Sequence, residues 1–171
     1  MITAGHCFAQ GAAVFSPGGP SFGTAGSRAG YPATDMELLF GSTYGSTIYT
    51  GNLTGTATFV TPATGNPAGS PAQYCHSGVF SAVVCAHVLQ SQTAQICDID
   101  GCTNNLWQFS GGVQRGDSGS PFYATNGGNA QIRGMVVGGV FAPGATVGTS
   151  ILIHPWTQIA ARYTGLLPNG G

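Results

Sequence analysis

Twenty-nine glycines and ten prolines are spread along this chain rather than gathered in one segment. Glycine loses the most backbone entropy on entering a helix, and proline removes an N–H and clashes with the preceding turn. Punctuation of this kind suits many short strands joined by tight turns, and it excludes a helical bundle. It does not signal disorder, because 42% of the residues are hydrophobic, as in an ordinary folded domain. With 171 residues the chain can form one domain or two small lobes with a real core.

Charge is scarce. Only 5% of residues are charged, against about 25% in an average soluble domain. There is no lysine; the cations are Arg28, Arg115, Arg133 and Arg162, and the formal net charge is -1. A nucleic-acid surface needs clustered cations and a membrane span needs roughly 20 apolar residues. Neither pattern occurs, so neither nucleic acid nor membrane is an expected partner. Solubility then rests on Ser, Thr, Asn, Gln and exposed backbone, a surface common in secreted microbial proteins. Residues 1–15 hold neither a basic start nor a continuous apolar stretch, so an export signal is expected upstream of Met1.

The five cysteines are Cys7, Cys75, Cys85, Cys97 and Cys102. Cys75 and Cys85 flank a hairpin-like stretch, and Cys97 and Cys102 can close a short loop through Asp98-Ile99-Asp100-Gly101. That leaves Cys7 alone. A zinc site built from Cys75, Cys85, His76 and His87 is the weaker reading, because the spacing matches no familiar ligand pattern. Disulfides and an oxidising compartment are expected instead, with no metal or other cofactor.

Residues 8–34 read as loop with one strand near Ala12–Phe15. Met36–Phe40 is a short apolar run, and Thr47–Val60 reads as a hairpin turning at Gly51-Asn52. Residues 61–73 carry Pro62, Pro67 and Pro71 and mark a boundary between lobes 1–73 and 74–171. Strands are expected at Val79–Val84, His87–Ser91, Leu106–Phe109, Pro121–Tyr123, Ile132–Phe141 and Thr146–Ile153. Pro155 suits a first helical turn, after which Trp156, Ile159, Ala160 and Tyr163 share one helical face. The pattern is all-β with one short C-terminal helix, as a double barrel or sandwich.

Ser118 lies in Gly116-Asp117-Ser118-Gly119-Ser120-Pro121. A serine hydroxyl attacks a carbonyl only when a base takes its proton and donors meet the oxyanion that forms. Gly116 allows a sharp turn that aims the N–H groups of Gly116 and Ser118 into one small space. On its own, Asp-Ser-Gly is as readily a polar turn as a nucleophile. His6, set among the small residues of Thr3-Ala4-Gly5-His6-Cys7, supplies a base that titrates near neutrality. A carboxylate must orient that imidazole, and the chain has five acids: Asp35, Glu37, Asp98, Asp100 and Asp117. Asp117 adjoins the nucleophile and is expected to be held by local bonds, and Asp98 and Asp100 suit a solvated loop. Asp35, opening Met36-Glu37-Leu38-Leu39-Phe40, is preferred to Glu37. The order His6, Asp35, Ser118 is that of chymotrypsin, unlike the orders of subtilisins or α/β-hydrolases.

Four segments therefore resemble the chymotrypsin-like (trypsin-type) serine proteases, above all the compact bacterial secreted enzymes of the streptogrisin and α-lytic type. They are residues 3–7, Asp35-Met36-Glu37-Leu38-Leu39, Gly116–Pro121 and Gly134-Met135-Val136-Val137-Gly138-Gly139. Cys75-His76-Ser77-Gly78 also looks like the Cys-x-Ser-Gly that opens the second lobe in those enzymes. The resemblance implies a two-lobed double β-barrel, with His6 and Asp35 from the first lobe and Ser118 from the second. It implies that Val137, Gly138 and Gly139 pair with the substrate backbone. The implied primary pocket is lined by the stretch before Ser118, by these residues and by Gly148, with Gly112 at its base. No carboxylate lies there, so apolar residues are expected at the cleaved position, while Arg115 at the rim leaves an acidic preference open.

The chain departs from the family in three places. Ser120 stands where a second glycine is commoner, and no cysteine ties the loop before Gly116. The family also has a cysteine partner for Cys7, and further strands, ahead of the catalytic histidine. The expected fold therefore has a first barrel lacking its N-terminal strands.

The implied function is a monomeric, secreted serine endopeptidase acting on polypeptides through an acyl-enzyme. The alternative is a catalytically impaired protease-like fragment or a binding-only homologue. A lipase is disfavoured by the residue order and the lack of Gly-x-Ser-x-Gly.

Overall fold

The computed structural model describes residues 1–15, 18–28, 30–45, 47–51, 57–61, 66–67, 74–126 and 129–164, with 57–61 described by backbone alone. The elements in chain order are β1 (Ile2–Thr3), β2 (Ala13–Phe15), β3 (Ser21–Gly26), β4 (Glu37–Phe40), β5 (Thr47–Tyr49) and β6 (Ala57–Thr61). There follow β7 (Tyr74–Gly78), β8 (Ala82–His87), β9 (Leu89–Cys97), β10 (Cys102–Gln114), β11 (Pro121–Asn126), β12 (Asn129–Val140), β13 (Val147–Pro155) and the single short helix α1 (Trp156–Arg162).

The architecture is all-β in two sheets, one of them a half-barrel. The first sheet has the antiparallel order β1-β4-β3-β2, and the second runs β8-β7-β11-β12-β13-β10-β9. The β5–β6 hairpin joins the second sheet, because β6 pairs in parallel with β12 at Ala130↔Val60. The boundary expected at 61–73 lies almost wholly outside the described residues, as does Asn52 of the expected hairpin turn.

β13 sits between β12 and β10 and is buried almost throughout its second half. Its Ile151-Leu152-Ile153 is a continuous apolar run of the kind that a strand covered on both faces requires. Beside it Tyr74, Phe109 and Phe122 pack ring on ring, with centroids 4.8 to 5.8 Å apart. Such aromatic pairs contribute about 0.5–1.5 kcal/mol each beyond their buried area. A second cluster crosses between the sheets: Ala4, Met36 and Leu38 meet Met135, Ile159 and Tyr163. Fully burying a Leu or Met side chain is worth about 1.5–3 kcal/mol, so this cluster holds the first sheet against β12 and α1. Tyr163 adds a hydrogen bond from its hydroxyl to the Ser27 carbonyl at 3.0 Å.

Several elements differ from expectation: β1 and β7 were not expected as strands, and β9 and β10 run well beyond the expected His87–Ser91 and Leu106–Phe109. β3 (SFGTAG) was expected to be loop; it lacks a β-branched run and is a strand because β2 and β4 pair with both its edges. The strand expected at Val79–Val84 is instead a turn followed by β8, because the Asp117 carboxylate captures the amides of Phe80 and Ser81. Both expected disulfides are present, Cys75–Cys85 and Cys97–Cys102, so none of these sulfurs is a thiolate. Cys7 carries no disulfide.

Candidate active site

His6 leaves the turn after β1, and Asp35 stands just before β4, the strand that pairs with β1. That pairing brings residues 29 apart in sequence into contact. The His6 amide donates to Asp35 Oδ1 at 2.7 Å, and the ring Nδ1–H donates to Asp35 Oδ2 at 2.5 Å. A carboxylate only accepts, so the bond to Oδ2 places a proton on Nδ1. A Cβ at Gly5 would lie 3.1 Å from Asp35 Oδ1, so the absence of a side chain there lets the two segments close. The Asp35 side chain is buried, while 35% of the His6 side chain remains accessible. The hydrogen bond that His6 donates to Asp35, followed by its interaction with Cys7, raises the His6 pKa from its ordinary value to about 10 against the opposing effect of burial.

Ser118 lies in the turn between β10 and β11. Gly116 in that turn has φ +94°, and an added Cβ would fall 2.4 Å from the Phe80 ring, so only glycine fits. Gly119, at φ +86°, packs against Thr3 and Ala4. This contact sets the turn that carries Ser118 against the segment that leads to His6. Across the same contact the Cys7 thiol lies 3.7 Å from the Ser118 carbonyl oxygen. The Ser118 hydroxyl donates to the Val137 carbonyl at 3.0 Å, so in this conformer its proton is engaged there and not with His6. Among the described residues, neither the Gly116 nor the Ser118 amide donates to a protein acceptor.

Asp117 lies beneath the loop. Its Oδ1 accepts from the amides of Phe80 at 3.0 Å and Ser81 at 3.2 Å, and its Oδ2 accepts from Gln114 N at 2.8 Å and Ser81 Oγ at 2.5 Å. Burial disfavours its charge, but the bonds from His76, Ser81 and these amides outweigh burial and hold the carboxyl well below the usual range.

The residues expected to line a pocket lie on β10, β12 and β13, with Arg115 just past the end of β10. Gly112 lies at the end of β10, facing Val147, and Arg115 follows with its guanidinium 4.8 Å from the centre of the Phe141 ring. Val137, Gly138 and Gly139 end β12, and Gly148 pairs across β10–β13 with Val113. The β11 partner of β12 reaches only to Met135, whose neighbour Val136 exchanges bonds with Gly119 and Ser120. Residues 138–140 therefore have an unpaired edge on that side.

Three buried histidines were not expected in the active site from the sequence: His76 and His87, weighed there only as zinc ligands, and His154. His76 and His87 bond to Ser81, Val84 and each other within the β7–β8 hairpin, and His154 to Gln158 one helical turn on, while Asp117, Ser110 and Asp35 meet them from distant parts of the chain. Asp98 and Asp100 are exposed, and Asp98 Oδ1 accepts from the Asp100 and Gly101 amides of its own loop. Glu37 is wholly buried without a hydrogen-bond partner, and burial raises its pKa. Neither oxygen of Glu37 contacts an imidazole.

No protein-family model matches the chain, and no curated protein matches it. Solved structures do. Cellulomonas bogoriensis chymotrypsin is 25% identical, with 95% of this chain and 81% of that one covered at a TM-score of 0.73. Thermobifida fusca protease A is 25% identical, with 94% and 79% covered at 0.70. A glutamic-acid-specific serine protease, described as using a histidine triad in substrate binding, is 22% identical, with 95% and 82% covered at 0.75. The fold of this chain is that of the bacterial chymotrypsin-like serine proteases.

Proposed function

We propose that the chain is a serine endopeptidase in which His6, Asp35 and Ser118 act together. One observation carries this reading. The described residues contain two His–Asp pairs, His6–Asp35 and His76–Asp117, and only His6 reaches solvent, with 35% of its side chain accessible against none for His76. A substrate can meet only the first.

In this reading Asp35 fixes the His6 tautomer with the proton on Nδ1, leaving Nε2 as the base. Rotation of Ser118 to its neighbouring χ1 well releases the Val137 carbonyl and directs the hydroxyl to His6. Attack on a peptide carbonyl gives an oxyanion, which the free amides of Gly116 and Ser118 receive. The imidazolium then protonates the leaving amine, and water resolves the acyl-enzyme by the same route. Gly138 and Gly139 on the unpaired edge, with Val137 once Ser118 releases its carbonyl, accept the substrate as an added strand. The side chain at the cleaved position is apolar, because no carboxylate lines the pocket around Gly112 and Gly148. Residues 1–73 then form the lobe carrying His6 and Asp35, and 74–171 the lobe carrying Ser118. Two disulfides and the secreted habit of such proteases support action outside the cell on polypeptides, as a monomer.

A fluorophosphonate probe tests this reading. Labelling of the folded chain that vanishes in Ser118→Ala is the expected result. A folded chain that takes no label at any pH would instead favour the binding-only reading.

A further inference from the structure

A chain of hydrogen bonds runs under the nucleophile loop and takes no part in the chemistry above. Asp117 Oδ2 accepts from Ser81 Oγ at 2.5 Å; Ser81 Oγ meets His76 Nε2 at 2.8 Å; His76 Nδ1 meets His87 Nε2 at 2.9 Å; His87 Nδ1 meets the Ser110 carbonyl at 2.8 Å. Both imidazoles are buried, and the space is tight: a Cβ at Gly111 would fall 2.4 Å from His87 Nδ1.

The protons in this chain can be counted. A carbonyl only accepts, so His87 Nδ1 carries a proton. Ser81 spends its own proton on the Asp117 carboxylate, so it accepts from His76, and His76 Nε2 carries a proton. Two neutral imidazoles hold no more than these two. His76 Nδ1 and His87 Nε2 would then face each other as bare lone pairs at 2.9 Å, which is repulsive. A third proton between them turns the contact into a bond. The Val84 carbonyl, 3.1 Å from His87 Nε2, also favours a proton at this point.

We infer that the buried His76–His87 pair holds three protons on its four ring nitrogens, and that the resulting single positive charge is the counter-charge that fixes Asp117 and with it the Gly116–Ser118 loop. The charge lies toward His76, whose Nε2 is 3.6 Å from Asp117 Oδ2. His87 takes the smaller share, because burial lowers its pKa. The groups facing the pair are Asp117 from the loop, Ser81 from the β7–β8 turn, Ser110 from β10 and the apolar Phe122 of β11, which pairs with His76. Asp117 is the only carboxylate among them. A buried carboxylate that loses its counter-charge is destabilised even while its hydrogen bonds remain, so loss of the shared proton weakens the hold on Asp117 and moves the two amides that would receive an oxyanion. His76 and His87 are thus positioning residues. That role rests on the proposed protease reading, whereas the charge does not.

The test is a pH titration of the full chain labelled with ¹⁵N-histidine, assigned with His76→Gln and His87→Gln, run beside the rate of fluorophosphonate labelling at Ser118. The expected spectrum at pH 7 has His76 Nε2 and His87 Nδ1 protonated and one further proton shared between the inner nitrogens. Labelling is expected to fall about tenfold or more over the pH range in which that proton leaves, since one misplaced oxyanion donor costs 10²–10³-fold in rate. A pair that is neutral at pH 7 overturns the charge. A proton that leaves with no change in labelling overturns the positioning role. A chain that never labels but shows the shared proton refutes the protease reading and leaves the charge standing.

Discussion

The backbone amide of Asp35 donates to the Nε2 of His154 at 3.2 Å, across 119 residues of sequence. His154 is buried at the end of β13, and burial lowers its pKa, so it stands neutral with Nε2 as acceptor. Its Nδ1–H then donates to Gln158 Oε1 at 2.9 Å, and Gln158 Nε2 donates to the Asn105 carbonyl at 2.7 Å. The Asp35 segment is therefore held from behind by a neutral imidazole whose tautomer the helix sets.

A substitution at His154 should accordingly move Asp35 without touching substrate. His154→Phe leaves a buried amide unpaired, at about 1–3 kcal/mol, and lets the His6–Asp35 pair drift. A displacement of about 1 Å costs up to 10²-fold in rate. The expected result is kcat reduced about ten- to hundredfold with KM little changed in a chain that still folds by circular dichroism. Unchanged kcat in a folded variant would show that Asp35 needs no such support.

The pH profile should carry the signature of His6. Its pKa is raised to about 10, chiefly by the hydrogen bond to Asp35 and then by Cys7. A raised pKa means that the His6–Asp35 pair stabilises the fold fully below about 6.5, the ordinary imidazole value, and that this stability is lost as pH rises through the folded value. Catalysis runs the other way, because the base must be neutral. The acid limb of kcat/KM is expected well above 6.5 in the intact chain and lower in Cys7→Ala. In Asp35→Asn it should return toward 6.5, with kcat down by as much as about 10⁴-fold through the wrong tautomer. An acid limb at 6.5 in all three proteins would contradict this account of His6.

The parts of the site legible in the sequence are those whose geometry is written locally. Gly116 announces a turn that only glycine can make, and Asp35 stands at the mouth of a short apolar strand. The short helix was legible for the same reason: Ile159 and Tyr163 fall one turn apart, and both are buried. β3 was not legible, because its pairing with β2 and β4, rather than its composition, makes it a strand. The turn at Val79–Ser81 was hidden because a carboxylate 36 residues away holds it. The links of His76 to Asp117, His87 to Ser110 and His154 to Asp35 were hidden for the same reason. Each histidine is a polar group on an inward-facing strand position, and its role depends on partners that only the folded sheet supplies.

Substrate size is a further expectation. A Cβ at Gly139 would lie 2.3 Å from Val113 Cγ1, and one at Gly148 would lie 3.0 Å from the same carbon and 3.3 Å from Phe141 Cε1. Val113 and Phe141 therefore fill the space between the glycine-bearing ends of β12 and β13. Within the proposed apolar preference, alanyl and valyl substrates should be cleaved faster than phenylalanyl ones. Phe141→Ala should raise the Phe-to-Ala ratio of kcat/KM about tenfold, in line with the 10–200-fold that a methylene-sized change in a pocket brings. A native chain that prefers phenylalanine would show that the side chain binds elsewhere.

The two disulfides should differ in what they protect. Cys75–Cys85 closes a sequence separation of 10 and ties the hairpin that delivers Phe80 N, Ser81 N and Ser81 Oγ to Asp117. Cys97–Cys102 closes a separation of 5 around an exposed loop. Chain-entropy arguments assign the first about 3 kcal/mol and the second about 2, so thermal melting alone should separate the two paired-alanine variants only modestly. Labelling at Ser118 should separate them clearly. Replacing Cys75 and Cys85 by alanine loosens the donors around Asp117 and slows labelling several-fold at a temperature where the variant remains folded. Replacing Cys97 and Cys102 leaves the labelling rate near that of the native chain. Equal labelling rates in the two variants would mean that the hairpin contributes stability alone and that the loop beneath Ser118 holds its shape without it.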